Sequence, residues 1–382
     1  MVEESSATKE IFEKCSECLI CVQECQLMTK LGKSPREIAE NLTQNPQPYK
    51  NAVYSCLLCG LCATLCPLSL SPKKMFLEWR RKLVKDGVAP FRSHSFSLTD
   101  KKWNLYTLYR DSYGISYSDL ETASCEALFF PGCNLSTFAP KLTRTIFTQL
   151  RRYNESLGIL VECCQAPILD LGLQERFEKA MEKLKGVVAE RGAKKVVTAC
   201  PRCYYTLKEH LGMEVVSVYD ALPEEAFKKI DGVVTIHDSC PDREEGFFGK
   251  KVRELFRGCR IVEMKHSREN TICCGAGGLA SAVDPDLALS YVRMRLEEAK
   301  VTQAEYLVTY CVTCLNMLTA VPSQIKIRHA LNLLLDVDED YSQIQTNLQR
   351  LFTGPKGKEN IQKILSQLQS QPGAAERLKY GF

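Results

Sequence analysis

Two runs of cysteine carry the first chemistry in this sequence, Cys15-x2-Cys18-x2-Cys21-x3-Cys25 and Cys56-x2-Cys59-x2-Cys62-x3-Cys66-Pro67. A Cys-x2-Cys-x2-Cys loop can wrap three irons of a cubane, after which the chain turns away and delivers its fourth thiolate to the other cluster. On that spacing Cys15, Cys18, Cys21 and Cys66 hold one [4Fe-4S] cluster, and Cys56, Cys59, Cys62 and Cys25 hold the other. Tetrahedral zinc also uses Cys-x2-Cys pairs, but two complete runs with no histidine near them suit iron better. Gln26 stands where the second run has Pro67, which weakens a helix stop and removes no ligand.

A second pattern is written twice. Cys133, Cys163-Cys164 and Cys200-x2-Cys203 are followed by Cys240, Cys273-Cys274 and Cys311-x2-Cys314 in the same order. Four thiolates complete a cubane or a zinc site, whereas a fifth, with two adjacent, allows a bridging thiolate and a larger or distorted iron–sulfur assembly. Gly275, Gly277 and Gly278 let backbone approach such a cluster and aim N–H groups at sulfur. They lack the GxGxxG spacing of a phosphate loop. Buried cysteine can be a small core residue, but ten in one duplicated pattern are not explained that way; Cys125 and Cys259, which fit no motif, are assigned to packing. His237-Asp238-Ser239 directly precedes Cys240, so His237 is the candidate catalytic residue, a proton donor beside the site, set against a purely structural histidine at a strand end.

The elements that position these residues follow from the pattern. Short apolar runs that end at cysteines, Ala127–Phe130, Gly158–Glu162 and Lys195–Thr198, then Gly232–His237, Ile261–Met264 and Tyr306–Tyr310, alternate with helices at Lys141–Tyr153, Glu175–Arg191 and Asp286–Lys300. Strands alternating with helices place ligands near the carboxyl ends of the strands. The fold class is therefore α+β overall, a mainly helical two-cluster ferredoxin domain followed by two pseudo-symmetric α/β cysteine-rich domains. The expected boundaries are 1–90 for the ferredoxin-like part, 91–124 for a linker, 125–231 and 232–340 for the cysteine-rich domains, and 341–382 for a C-terminal tail. Ser34-Pro35-Arg36-Glu37 reads as a helix start between the two cysteine runs. Pro72–Lys85 reads as a helix whose six cations form a solvated face, the competing reading being a dock for an acidic partner or lipid headgroups.

Length and composition set the frame, with 382 residues enough for two or three domains and 20 cysteines the one departure from ordinary globular usage. Met1–Glu10 is polar and acidic without an apolar stretch, so the expected compartment is reducing and cytoplasmic, where clustered cysteines bind metal. No apolar run approaches the roughly 20 residues that span a bilayer. Membrane contact is therefore expected only through a partner, peripherally on the inner face. A balance of 50 basic against 46 acidic residues argues against nucleic acid as a ligand.

The paired sets ending in Cys200-x2-Cys203 and in Cys273-Cys274-Gly275 and Cys311-x2-Cys314 resemble the cysteine-rich domains of the B-type chain of heterodisulfide reductase, and with the ferredoxin part in front the sequence resembles the fused, D-type members of that reductase family. The same layout is found in iron–sulfur subunits of glycolate oxidase, lactate-utilisation proteins and anaerobic glycerol-3-phosphate dehydrogenase. The resemblance implies two cubane [4Fe-4S] clusters that pass electrons to two non-cubane [4Fe-4S] clusters, between which a disulfide is reduced to two thiols. Gln165 in place of the second set's Gly275 leaves the first site open to zinc or a simpler cluster. No flavin or nicotinamide fingerprint is present, so an electron-donor partner, whether a cytochrome b, a flavoprotein or a hydrogenase module, is expected in a hetero-oligomer. The competing function is a non-catalytic electron-transfer subunit of a flavin-dependent glycolate, lactate or glycerol-3-phosphate dehydrogenase.

Overall fold

The computed structural model describes residues 6–369. Two four-stranded sheets, each wholly parallel, form the cysteine-rich half. In the first, β1 (Ala127–Phe129), β2 (Leu157–Ile159), β3 (Lys195–Thr198) and β4 (Glu214–Ser217) lie in the order β2-β1-β3-β4. In the second, β5 (Val233–His237), β6 (Arg260–Ile261), β7 (Tyr306–Thr309) and β8 (Lys326–His329) repeat that order as β6-β5-β7-β8. The central strands are runs of Val, Leu, Ile and Phe because parallel strands are covered on both faces.

The registers are equivalent as well. Phe129 pairs with Val197 in the first sheet and Ile236 with Val308 in the second. β6 is shorter than the expected Ile261–Met264 strand, because pairing ends after Val262 N donates to Val234 O at 2.9 Å and the chain leaves toward Cys273. β4 and β8 have no counterpart among the expected strands. Both are edge strands, half solvated and bearing Glu214, Lys326 and Arg328, so no apolar run marks them.

The N-terminal part is helical. Ser34 caps the helix Pro35–Gln44 in a complete capping box, its Oγ accepting from Glu37 N at 3.2 Å while Glu37 Oε2 accepts from Ser34 N at 2.7 Å. The helix Pro72–Lys85 buries Met75, Phe76, Trp79 and Leu83. Its expected solvated face is only partly so, since Lys82 lies over the Trp79 ring at 4.1 Å and Arg80 is fully buried.

The stretch read as a linker folds into a 3-10 turn, Arg92–Ser97, and a helix, Leu105–Ser112, with His94, Leu98, Leu108, Tyr109 and Tyr117 buried. Helices Ile344–Leu351 and Gly354–Gln369 dock on it, through the Phe96–Phe352 rings at 4.9 Å and Asn347 Nδ2 donating to Tyr109 Oη at 3.2 Å. Residues 370–382 of the expected tail lie outside the described residues. No described helix is long and apolar enough to cross a membrane.

Arg80 joins the three parts. Its guanidinium donates to Val53 O, Tyr54 O and Cys56 O in the dicluster part, to Asp170 O in the first lobe and to Gly278 O in the second, at 2.7 to 3.2 Å. Arg243 makes a similar tie from the other side, from Nε to Cys59 O at 3.1 Å and on to the carbonyls of Glu269 and Thr271. Replacing Arg80 by Met leaves buried carbonyls without donors, a loss of about 3–5 kcal/mol. Anaerobic denaturant titration of Arg80→Met is expected to show that loss, with Arg80→Lys recovering only part of it because an ammonium has no planar fork.

Candidate metal centre

The two N-terminal cysteine loops share one backbone shape. Glu17 and Leu19 in the first, and Leu58 and Gly60 in the second, hold left-handed φ angles of 57, 62, 50 and 81 degrees. Three of the four are not glycine, and such a conformation is unfavourable unless something inside the loop holds it. It curls backbone N–H groups inward, and Leu58 N donates to Cys56 Sγ at 3.4 Å.

The fold brings Cys66 beside the first loop and Cys25 beside the second. Cys21 is flanked by Cys15, Cys66 and Cys18, and burial followed by their repulsion pushes its thiol up to about 12. Cys62 is flanked by Cys59, Cys56 and Cys25 and is raised in the same way. Thiols crowded in this way, as Cys25, Cys56, Cys59 and Cys62 are, ionise together most readily around cationic metal, so the residues present suit a cluster. Cys18 is the exposed member of the first set.

Each five-cysteine set assembles at the carboxyl ends of its sheet. In the first, Cys133 Sγ and Cys163 Sγ are 3.7 Å apart, Cys164 contacts Cys163 and Cys203, and Cys203 contacts Cys200. In the second, Cys240 Sγ and Cys273 Sγ are 4.0 Å apart, Cys274 contacts Cys273 and Cys314, and Cys314 contacts Cys311. These separations are far beyond a disulfide and suit edges of a metal polyhedron. The central thiols Cys164 and Cys274 are both drawn down by hydrogen bonds from their two sulfur neighbours. A Cβ on Gly132 would stand 2.6 Å from Cys203 Sγ, so only glycine lets the chain pass there. Gln165 and Gly275 share a left-handed φ, at 63 and 94 degrees, so the exchange between them leaves the cradle's backbone unchanged.

The two sets face each other. Cys200 of the first and Cys311 of the second are close enough to influence each other's ionisation, and members of both sets line one cavity of about 160 Å³. The second set also abuts the dicluster part. A Cβ on Gly277 would lie 2.1 Å from Leu57 O and 3.3 Å from Cys273 Sγ, and one on Gly278 would lie 2.5 Å from Cys56 O. Tyr291 Oη accepts from Gln26 N at 3.0 Å and lies 3.6 Å from Cys25 Sγ.

His237 sits at the end of β5, 1% exposed, off the cavity wall but with its ring beside Cys274 and Cys314, which line it, and burial lowers its pKa to about 3. The wall is supplied by Tyr106, Asn134, Arg202 with its partner Asp170, Lys73, Ser239 and His329, besides the cysteines. Sequence reasoning missed these because Tyr106 comes from the supposed linker and His329 from an unexpected edge strand. Arg202 lies inside Cys200-Pro-Arg-Cys203, which is the one signal that places it at the site.

Comparison with known proteins agrees with this layout. The 4Fe-4S dicluster domain model matches residues 14–71, and the cysteine-rich domain model (CCG) matches twice, at residues 127–208 and 234–319. The D-type subunit of dihydromethanophenazine:CoB–CoM heterodisulfide reductase from Methanosarcina acetivorans is 29% identical over 73% of this chain and 75% of its own length. Its counterpart from Methanosarcina mazei is 28% identical over 79% of this chain and 87% of its own. The B-type subunit of fumarate reductase (CoM/CoB) from Methanothermobacter marburgensis is 23% identical over 78% of this chain and 66% of its own. Along most of its length, then, the chain is similar to the D-type subunit of heterodisulfide reductase, and it carries a 4Fe-4S dicluster domain followed by two cysteine-rich domains.

Proposed function

We propose that this chain is the disulfide-reducing iron–sulfur subunit of a multi-subunit reductase. The observation that carries the reading is the single cavity walled by both five-cysteine sets, with Cys200 and Cys311 close together across it. Cys15, Cys18, Cys21 and Cys66 would hold one [4Fe-4S] cluster, Cys56, Cys59, Cys62 and Cys25 the second, and the two five-cysteine sets one non-cubane cluster each. Bound there, the four clusters would supply one-electron carriers leading to both faces of the cavity, matching a reaction in which a disulfide takes up two electrons and two protons to give two thiols.

The protein's own part is binding, orientation and exclusion of water. Leu57, Pro131, Leu135 and Val312 give the cavity apolar wall on which a disulfide's methylenes can lie. Tyr106 Oη accepts from Asn134 Nδ2 at 3.3 Å, which leaves its proton free to be donated to Cys133 Sγ. Arg202, held by Asp170, and Lys73 place N–H donors on the same wall. Exposed Cys18 marks the end of the thiolate chain at which an electron donor docks, and the relatives' names as subunits favour such a hetero-oligomer.

Anaerobically purified protein is expected to carry about 16 irons per chain, four for each cluster. About eight irons accompanied by zinc would overturn the two-site reading. Cys66→Ser is expected to remove the EPR signal of the cluster held by Cys15, Cys18 and Cys21 while sparing its neighbour, because the fourth ligands are crossed; loss of the neighbour alone would contradict that assignment. Cys273→Ala with Cys274→Ala is expected to abolish turnover of a disulfide while leaving both N-terminal clusters reducible. Near-normal turnover in that variant would instead favour an electron-transfer role.

A further inference from the structure

The two cysteine-rich lobes correspond position by position around their sulfurs, and at three of the positions where they differ the second lobe carries the polar group. Phe130 and His237 occupy the same register position, each opposite the last residue of the adjacent strand and three residues before the first cysteine of its set. Gly132 and Ser239 likewise correspond, each directly preceding that cysteine. The helices Gln174–Glu190 and Pro285–Val301 are both 17 residues long and precede equivalent strands, which sets Leu184 against Arg295. The first lobe thus has an aromatic ring, a glycine and an aliphatic chain where the second has an imidazole, a hydroxyl and a guanidinium.

Those polar groups point at sulfur. His237 has neither ring nitrogen hydrogen-bonded, and one lies within 4.8 Å of Cys274 Sγ and Cys314 Sγ. Ser239 Oγ is 3.9 Å from Cys314 Sγ. Arg295 is fully buried and ion-paired with Glu298 at 2.7 Å, has an unpartnered Nε, and acts electrostatically on His237 as well as on Cys274 and Cys314. A buried imidazole with no partner is costly unless it finds one, and a sulfur of a bound cluster is the acceptor within reach.

We infer that His237, with Ser239 and Arg295, raises the reduction potential of the second five-cysteine site, His237 and Ser239 by donating N–H and O–H hydrogen bonds to its sulfurs. The inference rests on the reading that both sites hold iron–sulfur clusters. Reduction adds one negative charge to a site, the electron coming from the adjoining Cys25, Cys56, Cys59 and Cys62 set, which is oxidised by one. Hydrogen bonds and a buried cation favour the more negative state. The second site, which touches the dicluster part, therefore holds its electron more firmly than it would with the first lobe's phenyl ring, glycine and aliphatic chain at those three positions. His237 is a positioning residue in this scheme. It donates to cluster sulfur and delivers no proton to substrate.

The test is a dithionite redox titration followed by EPR, with iron counted on each preparation so that loss of a cluster is separated from a change of potential. His237→Phe, which copies the first lobe, is expected to lower the reduction equilibrium of the second site at least tenfold, about 59 mV for one electron. His237→Gln, which keeps an N–H, should recover most of it, and Ser239→Gly should move it less in the same direction. Phe130→His, read on the first site, should raise that potential and serves if His237→Phe fails to assemble. Pulsed EPR on protein containing 15N-histidine should show weak coupling at the second site only. An unmoved potential in both His237→Phe and Phe130→His would overturn the inference, as would the strong coupling of a nitrogen bonded directly to iron.

Discussion

The molecule turns on one buried cation. Arg80 offers five N–H donors in a rigid plane, and five backbone carbonyls from three parts of the chain accept them with no carboxylate involved. A guanidinium is the one side chain whose donor geometry is rigid enough to hold three independent backbones in register. Its charge also lies beside Cys56, where it offsets part of the burial that keeps that thiol protonated. One residue thereby fixes the relative position of the three parts and favours the thiolate that a metal at their junction needs.

Around that junction the design rests on crowding sulfur where its ionisation is unfavourable. Thiols such as Cys21, Cys62, Cys203 and Cys314 are raised by burial and by one another, and a cationic cluster reverses the balance for all members of a set together. The parallel sheets make this possible with short motifs. β1, β2 and β3 release the chain at one end of a sheet, and so do β5, β6 and β7, so cysteines far apart in sequence meet with only a few residues of loop each.

The sequence carries a great deal of this in its cysteines and little of it elsewhere. The order of the duplicated sets, the apolar strands that lead into Cys200 and Cys311, and the capped helix at Ser34 are local patterns, and local patterns survive reading in one dimension. Arg80 is invisible because it shares a helix with five other cations, and only tertiary packing decides which of them is buried. Tyr106 is invisible because a Ser- and Tyr-rich stretch with few apolar residues reads as linker, although it packs under the C-terminal helices. His237 is legible as a residue of consequence and not as to direction, since the rotation of a side chain about a strand end is not encoded in its spacing from Cys240.

The contact of Gly277 and Gly278 with the carbonyls of Leu57 and Cys56 gives the protein a fixed internal gap. Peptide backbone meets peptide backbone there, pinned by Arg80, whose guanidinium donates to Gly278 O on one side and Cys56 O on the other. Tunnelling probability falls steeply with separation, so in the proposed electron path the two glycines would serve as the thinnest spacer a peptide allows, bringing the second five-cysteine set as near the Cys56 loop as two backbones can come.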